Sequence, residues 1–544
     1  MRYRRSEGQG SRYTAYSWLS VALVAAGIAL RLWQYVGRSS LWTDEATLAN
    51  NIVARSYGRL MLEPLGHNQA APPGFLIVEK AAVTMFGVNE LALRAFPFAC
   101  SIIALVLVWR LAARLVSAES APLALAPFAL APPIIFFAAD AKQYSSDVAI
   151  ALALLLYSLA LAEGALTRRR AIVAALTGVC AVWLSQPAVL VLAGIGVVML
   201  VQLIHGREQP ERARIAAVVG AWAVGAAAVV AVSFHHLASA SRRYMYVFWS
   251  DGFWPLAPMH LSSWTWPMLH GASLLGGQLA LPTSVGAGGV LLAVVGTVSL
   301  WQRDRFAAML VVAPVLIALG ASAAQLYPFA GRLALFLVAP ILLLAAAGLE
   351  AIVASIPRAQ IAAATRAMAA LFLLAMSARA LRASPPVYRP EEISPALDYL
   401  RHAAKSSDAT YVHYGAVPAF QFYESLDAIP GSTVLGECHR ADLRAYLAEL
   451  DSLRGRARTW VLFGHELPRL RERELMVRYL EAIGRARDSV VSSGRDVDGN
   501  VASERLYLFD LSDSTRLGAA SASSFPIAPQ LPLEAKFACG PVDE

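Results

Sequence analysis

Two adjacent carboxylates, Asp44 and Glu45, follow a long apolar run, in the stretch SLWTDEATLANNI at 40–52. One interpretation is structural: the pair marks a membrane boundary or caps the helical stretch that begins at Ala46. The other interpretation is chemical, because carboxylates at a bilayer interface are costly unless they pair, bind a cation or move protons. The pair by itself leaves both interpretations open.

A second polar stretch, DAKQYSSD at 140–147, separates two later apolar runs. If a helix begins here, Asp140 and Tyr144 share one face at a spacing of four residues. Gln143 and Asp147 are spaced in the same way. The structural interpretation is a capped helix start in which Lys142 pairs with a carboxylate. The chemical interpretation is a carboxylate that holds a metal ion or aligns a phosphate, with Lys142 facing that phosphate.

Two further motifs contain residues that can bind a substrate. The segment YPFAGR runs from Tyr327 to Arg332 and precedes a late apolar run. Arginine at a membrane boundary often only extends its charged end to water. Its planar guanidinium also matches phosphate oxygens, so Arg332 is well placed to bind a lipid-linked phosphate. Nearer the N-terminus, HNQAAPPGF begins at His67, and Pro72 and Pro73 stiffen this connection.

The composition predicts the elements that position these residues. The chain has 544 residues, of which 57% are hydrophobic and 15% charged, and its mean hydropathy is +0.52. A soluble chain carries about 25% charged residues, so these values predict a polytopic membrane protein with a more polar tail. The net charge of +8 comes largely from arginine in short loops, which indicates membrane topology rather than nucleic-acid binding. The first apolar run lacks a convincing cleavage site, so we expect a retained helix.

The apolar runs predict eleven membrane-spanning helices. They lie near Tyr16–Val36, Leu93–Val116, Ala121–Ala138, Val148–Ala162, Ala171–Leu184, Pro187–Ile204, Ile215–Phe234, Val285–Leu300, Phe306–Ala324, Leu333–Leu349 and Ile361–Ser377. Arginine in alternate short connections predicts a cytoplasmic N-terminus. The outer face then holds a first loop at 37–92, a long loop at 235–284, DAKQYSSD, YPFAGR and the tail. Four tryptophans of the long loop favour an interfacial belt over a sugar-binding surface: Trp249, Trp254, Trp264 and Trp266.

The tail predicts a second, extracytoplasmic domain at 383–544, after a transmembrane domain at 1–382. Helical patterns lie at Pro395–Ala404, Arg440–Leu453 and Arg469–Ile483, and strand patterns at Thr410–Tyr414, Thr459–Phe463 and Arg505–Phe509. This alternation predicts an α/β domain with a partly parallel sheet. Cys438 and Cys539 can form a disulfide in an oxidising compartment, but the sequence leaves their separation open.

The predicted outer face thus collects acidic residues for proton or metal chemistry and basic residues for a phosphate. These residues lie at the depth of a lipid headgroup. This combination of acidic and basic residues suits group transfer from a lipid-phosphate donor. In these motifs (SLWTDEA, HNQAAPPGF, DAKQYSSD and YPFAGR) the chain resembles the GT-C class of membrane glycosyltransferases. Within it, the chain is similar to the bacterial branch of the superfamily of dolichyl-phosphate-mannose-protein mannosyltransferases and lipid A aminoarabinose transferases. The resemblance covers about 15–380.

The resemblance implies a function and roles for individual residues. It implies an inverting glycosyltransferase of the bacterial cytoplasmic membrane, with a polyprenyl-phosphate-sugar donor and a glycan, lipid or protein acceptor. Asp44 would be the catalytic base, and Glu45 would assist it or bind the acceptor. Lys80, Lys142, Arg332 and Tyr327 are candidates for the donor phosphate. Residues that would support the substrate or a metal ion are Asp140, Asp147, Tyr144 and His67, with Asp140 the candidate ligand of a divalent cation (Mg, Mn or Zn).

Three other functions share some of these features. A transporter or flippase for a lipid-linked sugar would use the carboxylates to relay protons, but it predicts pseudo-symmetric halves and ionisable residues in mid-span. A GT-C-like scaffold without activity would not need Asp44, Glu45, Asp140 and Arg332 together. An oligosaccharide ligase or polymerase would not be expected to carry an Asp-Glu pair in the first loop.

Overall fold

The computed structural model describes residues 10–204, 209–236, 239–256, 260–466, 471–497, 501–516, 518, 520–527 and 539. Most of the described chain is helical. The helices are α1 (Gly10–Val36), α2 (Thr43–Ala54), α3 (Tyr57–Leu62), α4 (Pro73–Phe86), α5 (Glu90–Leu115), α6 (Ala121–Leu130), α7 (Pro132–Phe137), α8 (Tyr144–Ala162), α9 (Arg168–Leu184), α10 (Ala188–Ile204), α11 (Gln209–His236), α12 (Ser239–Phe248), α13 (Leu261–Leu279), α14 (Thr283–Arg303), α15 (Arg305–Ala323), α16 (Val338–Ala354), α17 (Ala359–Ala383), α18 (Ser394–Ala403), α19 (Val417–Leu426), α20 (Leu443–Asp451) and α21 (Glu472–Ile483). Short 3₁₀ turns occupy Ser250–Gly252, Gly331–Leu337 and Tyr414–Ala416.

The prediction of a polytopic helical membrane protein is confirmed. Among the described residues, eight helical segments are long and apolar enough to cross a bilayer: Tyr16–Val36, Glu90–Leu115, Tyr144–Ala162, Pro210–His235, Thr283–Arg303, Arg305–Ala323, Gly331–Ala354 and Ala359–Ala383. Each overlaps a predicted span. The other three predicted spans correspond to α6 with α7, to α9 and to α10, which are shorter helices. The count of eleven therefore stays a prediction.

The stretch predicted as a long loop at 235–284 contains two helices. It holds α12 and the 19-residue α13, which packs against α14. The sequence LSSWTWPMLHGASLLGGQL interrupts its apolar residues with Ser, Thr, His and Gly, so no continuous apolar run marks this helix. Packing against a neighbouring helix overrides this weak local pattern.

A buried arginine stabilises the interruption between helices α6 and α7. Pro132 and Pro133 lack the backbone N–H groups that would bond the carbonyls four residues earlier. Arg31 of α1 supplies the missing donors: Nη2 donates to the Phe128 carbonyl at 3.0 Å and Nη1 donates to the Ala129 carbonyl at 2.9 Å. Its side chain is fully buried. This contact fixes the segment that leads into DAKQYSSD against the first helix.

The C-terminal domain is built on a five-stranded sheet in the order β2-β1-β3-β5-β4. The strands are β1 (Ala409–Val412), β2 (Ser432–Leu435), β3 (Thr459–Phe463), β4 (Arg485–Arg495) and β5 (Val501–Asp510). β1 pairs in parallel with β2 and β3, and β5 pairs antiparallel with β3 and β4. The predicted partly parallel α/β domain is confirmed. The sequence patterns missed α19 and both edge strands, β2 and β4.

The two faces of this sheet pack against different partners. One face lies over α20 and α21 in a core of its own. The other shares a core with α2 and its surroundings, where Leu41, Leu48 and Ile52 join Phe420 and Phe422 of α19. The C-terminal domain thus rests directly on the loop that carries the Asp-Glu pair. The exact domain boundary, predicted at 382–383, stays a prediction.

Cys438 and Cys539 form a disulfide, with their Cα atoms 5.5 Å apart. The two cysteines are separated by 101 positions in the sequence. The disulfide joins two segments of the tail, a pairing that the sequence had left open.

Candidate active site

The Asp-Glu pair opens helix α2. Trp42 occupies the N-cap position, and its backbone N–H donates to Glu45 Oε2 at 3.4 Å. This arrangement is one half of a capping box and places acidic side chains in the first turn, where the helix dipole favours them. Although the two residues are adjacent, their side chains have different environments. The Asp44 side chain is 18% exposed, whereas the Glu45 side chain is 1% exposed.

Asp44 is held between two cations from distant parts of the chain. Its Oδ1 lies 2.9 Å from Lys142 Nζ, and its Oδ2 lies 3.2 Å from Arg332 Nη2. Lys142 Nζ also donates to Gln69 Oε1 at 2.5 Å. Burial would raise the pKa of the Asp44 carboxyl, but Lys142 and Arg332 outweigh it and lower this pKa to about 2. Asp44 is therefore ionised, and the three charged groups carry a net positive charge.

Arg332 lies among three aromatic rings. Its guanidinium carbon is 5.6 Å from each of the ring centroids of Trp42, Tyr144 and Trp249. Such rings attract a cation and limit its contact with water. Trp249 was expected only in an interfacial belt, yet the structure places it beside the candidate phosphate-binding arginine.

Glu45 makes a buried ion pair with Arg94 of α5. Arg94 Nε donates to Glu45 Oε1 at 2.8 Å, and Nη2 donates to Glu45 Oε2 at 2.5 Å. Arg94 also binds the carbonyls of Ser39 and Ser40, at 2.8 and 3.2 Å. The Ala141 amide donates to Glu45 Oε1 at 2.7 Å. Both carboxylate oxygens are thus occupied, and these contacts join the first loop to DAKQYSSD.

Asp140 lies beneath this network. Trp42 Nε1 donates to Asp140 Oδ1 at 3.1 Å, while Oδ2 is buried and has no partner among the described residues. Burial raises the pKa of Asp140 well above its usual range, and the carboxylates of Glu45 and Asp44 raise it further. Asp140 therefore favours the neutral, protonated form.

These carboxylates are a poor fit to a divalent cation. Such a cation takes several oxygen ligands, but Asp44 is bound to Lys142 and Arg332, and Glu45 is bound to Arg94. Asp140 Oδ2 has no hydrogen-bond partner among the described residues, but the oxygens of its neighbours Asp44 and Glu45 are taken up by ion pairs. The ligand role predicted for Asp140 therefore stays a prediction.

A possible metal-binding group does occur elsewhere among the described residues. Glu437, His439 and Glu449 bring three ligand atoms within 4.8 Å of one another, beside the Cys438–Cys539 disulfide. His439 Nε2 already lies 2.8 Å from Glu449 Oε1. This group belongs to the C-terminal domain, and nothing in the sequence had indicated it.

The remaining predicted site residues differ in how close they lie to Asp44. His67 occupies an exposed turn with a φ of +58°, two residues before Gln69, so this turn presents Gln69 to Lys142. Asp147 is buried in the first turn of α8. Tyr327 donates its hydroxyl to the Leu333 carbonyl at 2.9 Å. Burial and the nearby Asp147 charge raise the pKa of the Tyr327 phenol.

Lys80 lies farther along the first loop. Its Nζ donates to the Ile52 and Val53 carbonyls at 2.9 and 3.0 Å, so it binds the C-terminal end of α2. Asp44 lies eight residues before Ile52, which is about 12 Å along a helix at its normal rise. Lys80 is therefore not part of the ion-pair group around Asp44, and its predicted phosphate contact stays a prediction.

The C-terminal domain supplies contacts that the motifs had not indicated. Ser40 Oγ donates to Glu392 Oε1 at 2.6 Å, and the Leu41 amide donates to the Tyr423 hydroxyl oxygen at 2.9 Å. The amide and hydroxyl of Thr43 both donate to Glu391 Oε2 at 2.7 Å. The domain therefore holds the backbone directly before Asp44.

Comparisons with known proteins identify the fold. No family model and no curated protein matches the chain. Among solved structures, ArnT from Cupriavidus metallidurans bound to undecaprenyl phosphate is similar, with a TM-score of 0.52 and 12% identity; the match covers 91% of this chain and 98% of ArnT. AglB, an oligosaccharyltransferase from Archaeoglobus fulgidus, aligns over 92% of this chain and 74% of its own, with 11% identity and a TM-score of 0.47.

The likeness to ArnT defines the class. This protein has the GT-C fold, a polytopic helical membrane domain followed by an α/β domain, as the resemblance in its motifs predicted. At this level of identity the likeness defines the fold, whereas the activity has to be argued from the residues of the site.

Proposed function

We propose that this protein is a glycosyltransferase that moves a sugar from a polyprenyl-phosphate donor to an acceptor at the outer face of the bacterial cytoplasmic membrane. The observation that carries the proposal is the ion-pair group of Asp44, Lys142 and Arg332. It joins a candidate base to an excess of positive charge. The group occurs in a chain that shares the fold of ArnT, which was solved with undecaprenyl phosphate.

The proposed donor contact is an exchange of ion pairs. The phosphodiester of the donor carries one negative charge, as Asp44 does, and its two non-bridging oxygens match the planar guanidinium of Arg332. Donor binding would therefore draw Lys142 and Arg332 away from Asp44. Burial is then the main influence left on the carboxyl, and burial raises its pKa. Asp44 becomes a stronger base only when the donor is present.

The reaction that follows is a single displacement. The acceptor hydroxyl oxygen attacks the anomeric carbon and forms the new glycosidic bond, while its proton passes to Asp44. The bond from the anomeric carbon to the phosphate oxygen breaks, and its electron pair leaves with the polyprenyl phosphate. Lys142 and Arg332 stabilise that charge, so no acid needs to protonate the leaving group. Attack opposite the leaving group inverts the anomeric configuration.

Neighbouring residues take supporting roles in this proposal. Because both oxygens of Glu45 are occupied by Arg94, Ala141 and Trp42, we assign Glu45 to positioning Asp44 rather than to contact with the acceptor. Neutral Asp140 accepts a hydrogen bond from Trp42 and so orients a ring beside Arg332.

We propose that the N-terminus is cytoplasmic and the C-terminal domain extracytoplasmic. Arginine in the predicted inner connections supports this orientation. The disulfide supports it too, because disulfides persist in oxidising compartments. The site then lies where a lipid-linked sugar is presented.

The test compares wild type with Asp44→Asn in membranes that lack the native protein. Radiolabelled undecaprenyl-phosphate sugars are supplied, and label that leaves the lipid is measured. We expect transfer to fall by about 10²–10⁴-fold, the usual contribution of a general base. Binding of undecaprenyl phosphate should persist, since the neutral amide of the variant would no longer compete for the two cations.

The matched control is Glu63→Gln, which removes an exposed carboxylate of the same loop and should leave transfer unchanged. Undiminished transfer by Asp44→Asn would refute the assignment of the base. If wild type transfers no label from any donor, the transporter, scaffold and ligase alternatives replace the proposal.

A further inference from the structure

One carboxylate of the C-terminal domain connects the Asp44 loop to a histidine. Glu391 Oε2 accepts from the amide and the hydroxyl of Thr43, and Glu391 Oε1 lies 2.6 Å from His465 Nδ1. Thr43 directly precedes Asp44. A single carboxylate therefore separates the His465 ring from the backbone that carries the candidate base.

His465 is held from both sides in an uncommon conformation. It follows β3 with a φ of +48°, a left-handed conformation that non-glycine residues seldom adopt and that often occurs at functional sites. Arg440 Nη2 donates to the His465 carbonyl at 2.8 Å, while Glu391 fixes the ring. The side chain is 38% exposed, and its Nε2 has no hydrogen-bond partner among the described residues. This nitrogen is available to a ligand.

One tyrosine lies close to this connection. Tyr414 directly precedes Gly415, whose carbonyl accepts from Thr43 Oγ1 at 3.2 Å. The Arg440 guanidinium carbon lies 5.5 Å from the ring centroid of Tyr414, and the Tyr414 hydroxyl donates to the Cys539 carbonyl at 3.4 Å. Tyr414 therefore lies beside the contact between Thr43 and the C-terminal domain.

The charges on this side are balanced. Arg440 Nε donates to Glu472 Oε1 at 2.8 Å, and the His465 ring pairs with Glu391. Each cation thus has a carboxylate partner, whereas Lys142 and Arg332 share Asp44 alone. A balanced group with an available ring nitrogen and a tyrosine suits a neutral compound rich in hydroxyl groups better than a phosphate.

We propose that Glu391, His465 and Tyr414 form the acceptor subsite, and that its ligand is a sugar residue of a glycan. The subsite rests on the proposed transfer reaction and specifies its acceptor class. His465 Nε2 donates to an acceptor hydroxyl, and Glu391 sets the ring through Nδ1. The C-terminal domain thereby completes the active site rather than only covering it.

The test uses the full-length protein in lipid vesicles. The acceptor probe is the delipidated, protein-free envelope glycan fraction of a strain that lacks this protein. Label transfer from undecaprenyl-phosphate sugars is measured as this fraction is titrated, and undecaprenyl phosphate binding is measured separately. Variants are His465→Ala, His465→Gln and a control, His402→Ala, whose exposed ring binds a carbonyl of its own helix.

We expect His465→Ala to raise the glycan concentration for half-maximal transfer about tenfold, the usual effect of losing a hydrogen bond to a charged group. Its undecaprenyl phosphate affinity and maximal rate should stay within about twofold of wild type, since Lys142 and Arg332 are intact. His465→Gln keeps an N–H donor and should recover most of the affinity. His402→Ala should match wild type.

Different results overturn different statements. A glycan titration that does not depend on His465, or a parallel loss of undecaprenyl phosphate binding, would overturn the acceptor subsite. Label that enters protein instead of glycan would overturn the sugar acceptor. An inactive wild type would overturn the transfer reaction itself, together with the subsite.

Discussion

The two sides of Asp44 differ in their charge balance. On the membrane side, Lys142 and Arg332 share one carboxylate. On the side of the C-terminal domain, His465 pairs with Glu391 and Arg440 pairs with Glu472. Both groups contain buried charges, but only the first has an excess of positive charge.

In the proposed reaction, this difference would let one site distinguish the donor from the acceptor. Surplus positive charge attracts a phosphate, whereas balanced pairs repel neither charge and leave hydrogen-bond donors for hydroxyl groups. Asp44 lies at the boundary between them and is the group expected to respond to both.

The largest effect is expected from breaking the buried ion pair of Glu45 and Arg94, which supports the loop between the two sides. Arg94→Leu leaves the Glu45 carboxylate buried without its partner, which usually costs about 3–5 kcal/mol. Thermal unfolding of the purified protein should shift strongly downward. The double variant Arg94→Leu with Glu45→Leu should recover part of the loss. Equal stability of Arg94→Leu and wild type would contradict a supporting role for this pair.

The next effect concerns the membrane side alone. Arg332→Gln removes one of the two cations and should weaken undecaprenyl phosphate binding by about 10–100-fold, as expected for a charged hydrogen bond. The glycan titration should change little. Arg242→Gln is a matched control, because Arg242 is an exposed arginine of the neighbouring helix α12. If Arg332→Gln weakened undecaprenyl phosphate binding and glycan binding to a similar extent, the distinction between the two sides would be wrong.

A smaller effect is expected at Asp140. Burial and the neighbouring carboxylates favour its neutral form, so Asp140→Asn changes little charge, and transfer should stay within about threefold of wild type. Transfer should also be insensitive to metal chelators. A severe loss in Asp140→Asn, restored by added Mg²⁺ or Mn²⁺, would instead support the metal ligand that the sequence suggested.

The smallest effect is a pH dependence on the domain side. Burial would lower the pKa of His465, but Glu391 outweighs it and raises this pKa above the ordinary value of about 6.5. The pair therefore stabilises the fold fully below that ordinary value and loses its contribution as the pH rises through the raised pKa. The difference in Tm between wild type and His465→Gln should be largest in mild acid and shrink at alkaline pH. A difference that grows with pH would rule out this ion pair.

The sequence predicted the parts of the fold that depend on local pattern. Long apolar runs predicted most of the helices, and TWVLF predicted β3 to the residue. It missed β4, because RARDSVVSSGR is a mostly exposed, polar edge strand without the alternation that predicts a half-buried one. It missed β2 because STVL is a partly exposed edge strand, whereas the equally short β1 is fully buried and reads as an apolar run.

The site shows the same limit. Asp44, Lys142 and Arg332 occur in short motifs at the ends of apolar runs. Because the predicted topology places all three motifs at the same membrane face, the sequence predicts that these residues lie close together. The contact of Thr43 with Glu391 joins positions 348 apart, and no period or motif in either segment indicates it. The roles of Glu45 and Arg94 depend on side-chain geometry within a buried network, which composition does not reveal.

The contact between Thr43 and Glu391 also gives the protein an order of assembly. The loop with Asp44 is made early, but the carboxylate that clamps it is made 348 residues later. A nascent chain halted between Thr43 and Glu391 would contain Asp44 but not the carboxylate that holds its loop. Competence for the proposed transfer would then arise only once the tail has folded and docked on this loop, so that biogenesis itself delays the chemistry.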